Sequence, residues 1–166
     1  MIEPDQMHHQ LRGHDLNASI RPMSVLDVPK VCAIEQRVTP APWSEQIFRD
    51  CIHVGYTCVV VEHAGDILGY GVLSSGAGEA HLLNLAIIPE RQGAGLGKGL
   101  LQYLVDLARA RGVETILLEV RVSNVIAQRL YHQAGFNEVG IRKDYYPAAH
   151  GREDAQIYAM TLTDRL

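Results

Sequence analysis

Cysteine is scarce in this chain, and its spacing does not suggest pairing. Cys32, Cys51 and Cys58 are odd in number and show no Cys-x-x-Cys spacing, which argues against a disulfide framework or a zinc site and implies reduced thiols. Long apolar runs are missing too, since none approaches the roughly 18 residues that a membrane helix needs. The start Met1-Ile2-Glu3-Pro4-Asp5 has neither the basic nor the apolar region of a secretory signal, so a cytoplasmic protein without membrane contact is expected. Positive charge is in deficit, with 15 Lys and Arg against 19 Asp and Glu and a net charge of −4. Nonspecific nucleic-acid binding relies on clustered cations, so no direct nucleic-acid contact is expected and basic partners suit the chain better. Internal repeats and low-complexity linkers are also absent. What is present, 166 residues with 47% hydrophobic and 20% charged content, suffices for one domain with a real core.

Residues 1–17 are polar, carry His8, His9 and His14, and show no periodicity. They read as a flexible extension, and their histidines lack the further ligands that would complete a metal set, so no metal is expected. The organised domain is expected over residues 18–166. Ser19 to Met23 reads as a short strand, Asp27 starts a helix with Val28, Val31 and Ile34 on one side, and Ser44 opens a second helix after Pro40-Ala41-Pro42. Thr57 to Glu62 and Ile67 to Ser74 read as a hairpin, and Ala80 to Ile88 as the next strand. Further on come a helix to about Arg111, a buried strand from Thr115 to Val120, and a helix from Ser123 or Asn124 through Ala134. A strand from Phe136 to Ile141, a loop carrying Tyr145, Tyr146, Pro147 and residues 151–154, and a last strand from Ala155 to Leu162 complete the pattern. This order predicts a single α/β (α+β) domain, a central mixed sheet flanked by helices.

The richest local signal is Gln92-Gly93-Ala94-Gly95-Leu96-Gly97, placed between a strand and an amphipathic helix. Gly-rich turns that open a helix aim several N–H groups at one anion, and the helix dipole favours its charge. A phosphorylated cofactor is implied. A P-loop is excluded because Gly97-Lys98 is followed by Gly99, and a Gly-x-Gly-x-x-Gly fingerprint fails at Lys98 and Leu100. The surviving pattern, Gln-x-x-Gly-x-Gly, resembles the pyrophosphate loop of the GNAT acetyltransferases.

Glu119, inside Ile116-Leu117-Leu118-Glu119-Val120, would lose hydration there and must find a partner or hold its proton more tightly. Position alone leaves two roles open, a base or an ion-pair partner of Arg121. Tyr131 shares a helical stripe with Asn124, Ala127 and Ala134, where a core tyrosine is the plainer reading. Asn124 by itself is an N-cap.

Ile34-Glu35-Gln36-Arg37, Pro42-Trp43-Ser44-Glu45, Asn84-Leu85-Ala86-Ile87, Leu118-Glu119-Val120-Arg121, Leu130-Tyr131, Gly135-Phe136, and Tyr145-Tyr146-Pro147 with Gly151-Arg152-Glu153-Asp154-Ala155 narrow the match. Over residues 18–162 the chain resembles the bacterial RimI family of ribosomal-protein alanine N-acetyltransferases. Gly93 and Ala94 depart from it, standing where related loops often carry Arg and a polar residue. The resemblance implies direct transfer of acetyl from acetyl-CoA to a free α-amine in a ternary complex. It makes Glu119 the general base and Tyr131 the acid that protonates the departing thiolate. Acetyl-CoA would be held by Leu85, Ala86 and Ile87, by Gln92, Gly93, Ala94, Gly95, Leu96, Gly97 and Lys98, and by Asn124. The partner implied is a basic, Ala-initiated ribosomal-protein N-terminus. Trp43, Tyr145 and Tyr146 either line a groove for it, with Glu153 and Asp154 meeting its basic residues, or serve as scaffold. A small-molecule amine acceptor and a non-catalytic acetyl-CoA-binding module stay open as alternatives.

Overall fold

The computed structural model describes residues 9–13 and 16–162. Strands are β1 (His9–Gly13), β2 (Leu16–Pro22), β3 (Thr57–His63), β4 (Asp66–Gly76), β5 (Glu79–Ile87), β6 (Thr115–Arg121), β7 (Asn137–Pro147) and β8 (Arg152–Thr161). Helices are α1 (Val28–Val38), α2 (Glu45–His53), α3 (Leu96–Ala110) and α4 (Val125–Gln133). The strands form one eight-stranded sheet in the order β1-β2-β3-β4-β5-β6-β8-β7. All neighbours are antiparallel except β5 and β6, which α3 joins by a crossover. A mixed sheet with helices on both faces agrees with the sequence pattern.

Local chemistry sets the helix ends. Asp27 at the start of α1 accepts both Arg21 guanidinium nitrogens, at 2.8 and 2.9 Å, and the Ser24 N–H at 2.8 Å. Ser44 caps α2 by accepting the Ile47 N–H at 3.3 Å. Arg111 and Gly112 close α3, Gly112 taking a φ of +75° that a residue with a Cβ would resist.

Two cores sandwich the sheet. The larger packs α3 and α4 against it, and the predicted stripe of Leu96, Leu100, Leu104, Leu107 and Ala108 is buried there together with Ile116, Leu118 and Val120 of β6. On the opposite face α1 and α2 cover β3, β4 and part of β5 with Val28, Val31, Phe48, Val60, Tyr70 and Val72. No residue of β6, β7 or β8 enters that second core. The β6–β8 part of this face therefore lies outside the α1–α2 core and is only partly buried.

Two expectations are corrected. Residues 9–13 and 16–17, assigned to a flexible extension, belong to β1 and β2, which pair antiparallel from His9 opposite Ile20 to Gly13 opposite Leu16. Leu11 is buried on α3 at Gly99, where an added Cβ would lie 2.7 Å from Leu11 Cδ2. A bare backbone on α3 thus seats the strand. Residues 1–8 lie outside the described residues. The loop expected after Ile141 is largely strand: β7 continues to Pro147 and β8 begins at Arg152, with a register shift between Arg142 and Tyr146. The two extra residues of this bulge, and the exposure of almost every β7 side chain, remove the alternation by which a strand is read.

Candidate active site

The parallel pairing of β5 with β6 covers only Glu79 to Leu82 against Thr115 to Leu118. Beyond it β5 stays bonded to β4, while β6 stays bonded to β8 as far as Arg121. The two strands therefore part, opening a cleft inside the sheet. Ile88 donates its N–H to Leu68 O at 2.8 Å, with Gly69 opposite Ile87 and Gly71 opposite Leu85. Alternation along the strand then turns the N–H and C=O groups of Leu85 and Ile87 away from β4 and into the cleft. Gln92 closes one of them, its Nε2 donating to Ile87 O at 3.0 Å. Between them, Ala86 packs against the α1–α2 core.

At the end of this cleft lies the glycine loop. Gly93 and Gly95 hold φ of +79° and +87°, and nothing lies within 4 Å of where either Cβ would stand, so backbone conformation demands these glycines. Gly99 donates to Gly95 O at 3.0 Å. Ahead of it, the N–H groups of Gly93, Ala94, Gly95, Leu96, Gly97 and Lys98 meet no backbone acceptor among the described residues, and no side chain caps the helix. This is a concentrated set of donors at the positive end of a helix dipole.

Glu119 follows Leu118, the last residue of β6 paired with β5. Its neighbours Leu118 and Val120 point into the α3–α4 core, so its side chain is turned to the opposite, partly open face and is 11% exposed. Glu119 Oε2 lies 2.6 Å from His81 Nε2, and Oε1 lies 3.4 Å from Arg142 Nε. The ion pair with Arg121 that the sequence left open does not form. Arg121 instead donates to Glu153 Oε1 at 2.8 Å and to Pro147 O at 2.7 Å, and its guanidinium sits 4.5 Å from the Tyr146 ring centre.

Tyr131 is buried on α4, with ring centres of Phe136 at 5.9 Å and Tyr158 at 6.3 Å. Burial, with Tyr146 adding, raises its pKa above the ordinary 10, so it holds its proton at neutral pH. Burial likewise pushes Tyr146 up to about 12, with smaller contributions from Tyr145 and Glu119.

Asn124 caps α4, Oδ1 accepting the Ala127 N–H at 3.1 Å. Trp43 is tied to the second core: its ring lies 5.2 Å from that of Phe48, and its backbone N–H donates to Glu35 Oε2 at 3.3 Å. Glu35, only 2% exposed, also accepts Tyr70 Oη at 3.0 Å and Asn84 Nδ2 at 2.8 Å. The α1–α2 connection is thereby bonded to β5 just before Leu85. Glu153 and Asp154, which the sequence left open as peptide contacts or scaffold, make scaffold bonds. Glu153 clamps Arg121 and accepts Ser123 Oγ at 3.0 Å, and Asp154 Oδ1 accepts the Asp144 N–H at 2.9 Å. Arg152 donates to Asp144 O at 2.7 Å and Tyr145 O at 2.9 Å. Together these bonds fix the bulge that presents Tyr145 and Tyr146.

His81 and Arg142 escaped the sequence reading. Strand alternation could place His81 on the same face as Leu83, but only its register opposite Leu117 brings it to Glu119. Among the described residues no group of three or more His, Cys, Asp or Glu could hold a metal ion, and no helix is long and apolar enough to cross a membrane.

Comparison with known proteins gives a consistent result. The model of the acetyltransferase (GNAT) family matches residues 25–136. The [ribosomal protein bS18]-alanine N-acetyltransferase of Escherichia coli K12 is 39% identical over 145 residues, 87% of this chain and 98% of that protein. The crystal structure of the ribosomal-protein-S18-alanine N-acetyltransferase from Escherichia coli superposes with a TM-score of 0.83 at 38% identity, covering 89% of this chain and 96% of that one. The yncA protein of Salmonella typhimurium, solved with its cofactor acetyl-CoA, shares the fold at a TM-score of 0.75 and 23% identity, covering 90% and 96% of the two chains.

Proposed function

Since this chain belongs to the GNAT acetyltransferases, and within them to the bacterial ribosomal-protein alanine N-acetyltransferases, we propose that it acetylates the N-terminal alanine of a small-subunit ribosomal protein of the bS18 kind. Acetyl-CoA is the acyl donor, and it supplies the acetyl group as an activated thioester. The observation that carries the reading is the cleft between β5 and β6. Free backbone donors of Leu85 and Ile87 line it, the open N–H groups of residues 93–98 lie at its end, and Glu119 stands beside it on β6.

Each residue then has a task. The N–H groups of Gly93 to Lys98 hold the pyrophosphate, with Gln92 bracing the strand beside them. Leu85, Ala86 and Ile87 present the backbone that holds the pantetheine arm, and Asn124 offers its amide nitrogen, its oxygen being committed to the helix. Glu119 takes a proton from the α-ammonium group, and the free amine attacks without an acyl-enzyme. Tyr131 gives a proton to the departing sulfur. Deprotonation at pH 7 costs roughly 1 kcal/mol for an α-amine but roughly 4–5 kcal/mol for lysine, which suits a single carboxylate base to the N-terminus. The β6–β8 part of the sheet face lies outside the α1–α2 core and Tyr145 on β7 is exposed, which favours an open peptide site over a small enclosed amine pocket. A cytoplasmic setting fits such a target and the three free cysteines.

The test is intact-mass analysis with acetyl-CoA and three acceptors: an Ala-initiated basic peptide, its N-blocked form carrying a free lysine, and polyamines. One acetyl group gained by the free N-terminus alone is the expected result. Acetylation confined to a polyamine would replace it with the small-molecule reading.

A further inference from the structure

Among the described residues His81 is the one imidazole bonded to Glu119, and no role in the transfer accounts for it. Two features of the contact matter. At 2.6 Å, Nε2 and Oε2 must share a proton, since two lone pairs would repel at that distance. Arg142 is placed differently: its Nε stands 3.4 Å from Oε1, longer than an ordinary charged hydrogen bond, and its side chain is 54% exposed. Oε2 is thus held, whereas Oε1 faces a loosely placed cation that an incoming ammonium group can displace.

Resting on the proposed reaction, we propose that His81 is a positioning residue for Glu119: its Nε2–H fixes Oε2 and leaves Oε1 for the amine, and protonation of the ring switches the base off. A neutral imidazole donates without cancelling the carboxylate's charge. An imidazolium at the same place forms an ion pair, which favours the carboxylate over its protonated form and so weakens it as a base. The ring is open to bulk pH, because His81 lines a shallow depression of about 350 Å³ with Tyr56, Ser74, Ser75 and Glu79. The titratable or charged groups facing it are Glu119 from β6, Glu79 from its own strand, Tyr56 from the segment before β3 and, across Glu119, Arg142 from β7. Its register partner on β4, Ser74, carries no charge.

The experiment compares kcat against pH for the wild type, His81→Ala and His81→Gln, with saturating acetyl-CoA and the Ala-initiated peptide, alongside imidazole ¹⁵N spectra of the wild type and Glu119→Gln. His81→Ala should lower kcat about tenfold at pH 8 with the peptide KM little changed, a typical size for a misplaced general base. His81→Gln keeps an N–H donor but cannot titrate. It should recover most of that loss and lack the part of the wild-type acid limb that depends on a titrating ring. The spectra should show the Nε2–H tautomer in the wild type at pH 8 and an altered tautomer balance in Glu119→Gln. Wild-type kcat in His81→Ala, or an unchanged acid limb in His81→Gln, would overturn the inference while leaving the acetyltransferase intact. A wild type inert toward every peptide would instead overturn the functional reading and this inference with it.

Discussion

In the proposed reaction Glu119 and Tyr131 handle protons in opposite directions, and their surroundings differ in keeping with that. The carboxylate stands at the edge of the open face among His81 and Arg142, whereas the phenol is enclosed between Phe136 and Tyr158. Glu119→Gln and Tyr131→Phe should each cut turnover at least about tenfold, the lower end for general acid or base loss being roughly a hundredfold when the group acts alone. Calorimetric titration with acetyl-CoA should show binding near the wild-type level in both, and near-normal turnover in both would remove their assigned roles. Because burial raises the pKa of Tyr131, its acid form persists above pH 10. The kcat–pH profile should accordingly show no alkaline limb from this residue up to about pH 10. Glu119 was legible because a carboxylate in an apolar run demands an explanation. Its partners were not, since His81 and Arg142 come from strands 38 and 23 positions away along the chain and meet it only through sheet register. Glu153 and Asp154 stayed undecided for the converse reason: acidic residues in a turn look available until the hairpin pairs them.

Among the elements, β5 is the one whose placement decides whether the cleft exists. Gly69 on β4 lies directly against it: a Cβ there would come within 2.5 Å of Ala86 O and of Ile87 Cδ1. The carbonyl belongs to the strand's backbone, so Gly69→Ala must push β5 toward the cleft rather than merely turn a rotamer. The expected outcome is a raised KM for acetyl-CoA, with a lower melting temperature from the disturbed packing. An unchanged KM in a folded variant would show that the cleft tolerates the shift. Glu35 acts on the same strand from the other side. Glu35→Ala would strand the buried Tyr70 hydroxyl, at about 1–3 kcal/mol, and free the part-buried Asn84 amide, a loss readable in a denaturant melt. Helices and the β3–β4 hairpin were readable from period and caps, and their bounds agree closely with the structure. β1 and the second half of β7 were not: one owes its burial to a glycine on a distant helix, and the other is an edge strand exposed on nearly every residue.

For the molecule as a whole, the proton inventory sets the pH range of stability. Burial raises the thiols of Cys32, Cys51 and Cys58 above the ordinary 9, and the phenols of Tyr70, Tyr103, Tyr131, Tyr146 and Tyr158 above the ordinary 10. Above pH 9 the unfolded chain sheds protons that the fold retains, so the unfolded state binds fewer and stability falls with rising pH. Their contribution is complete below about pH 9 and is lost as pH climbs through the raised values. On the acid side Asp27, lowered first by its bond to Arg21, contributes above the ordinary 3.8 and loses that contribution as pH falls below it. Melting temperatures should therefore decline steeply between about pH 9 and 11, and a flat profile over that interval would contradict the burial of these groups.

The parting of β5 from β6 also makes the sheet two half-sheets, β1 to β5 and β6 to β8, held by one short parallel seam and by the core beneath. An unpaired edge in the middle of a sheet is a local weakness, so the amides of Leu85 and Ile87 should exchange with deuterium quickly despite their central position. A ligand that bonds along that edge works as a temporary strand. At a hundred times its dissociation constant it adds about 2.7 kcal/mol to the folded state, and exchange at those amides should slow in step. The metabolite consumed in each turnover then also governs how long the protein survives proteolysis, so that a cell short of acetyl-CoA would hold less of the enzyme as well as less of its substrate.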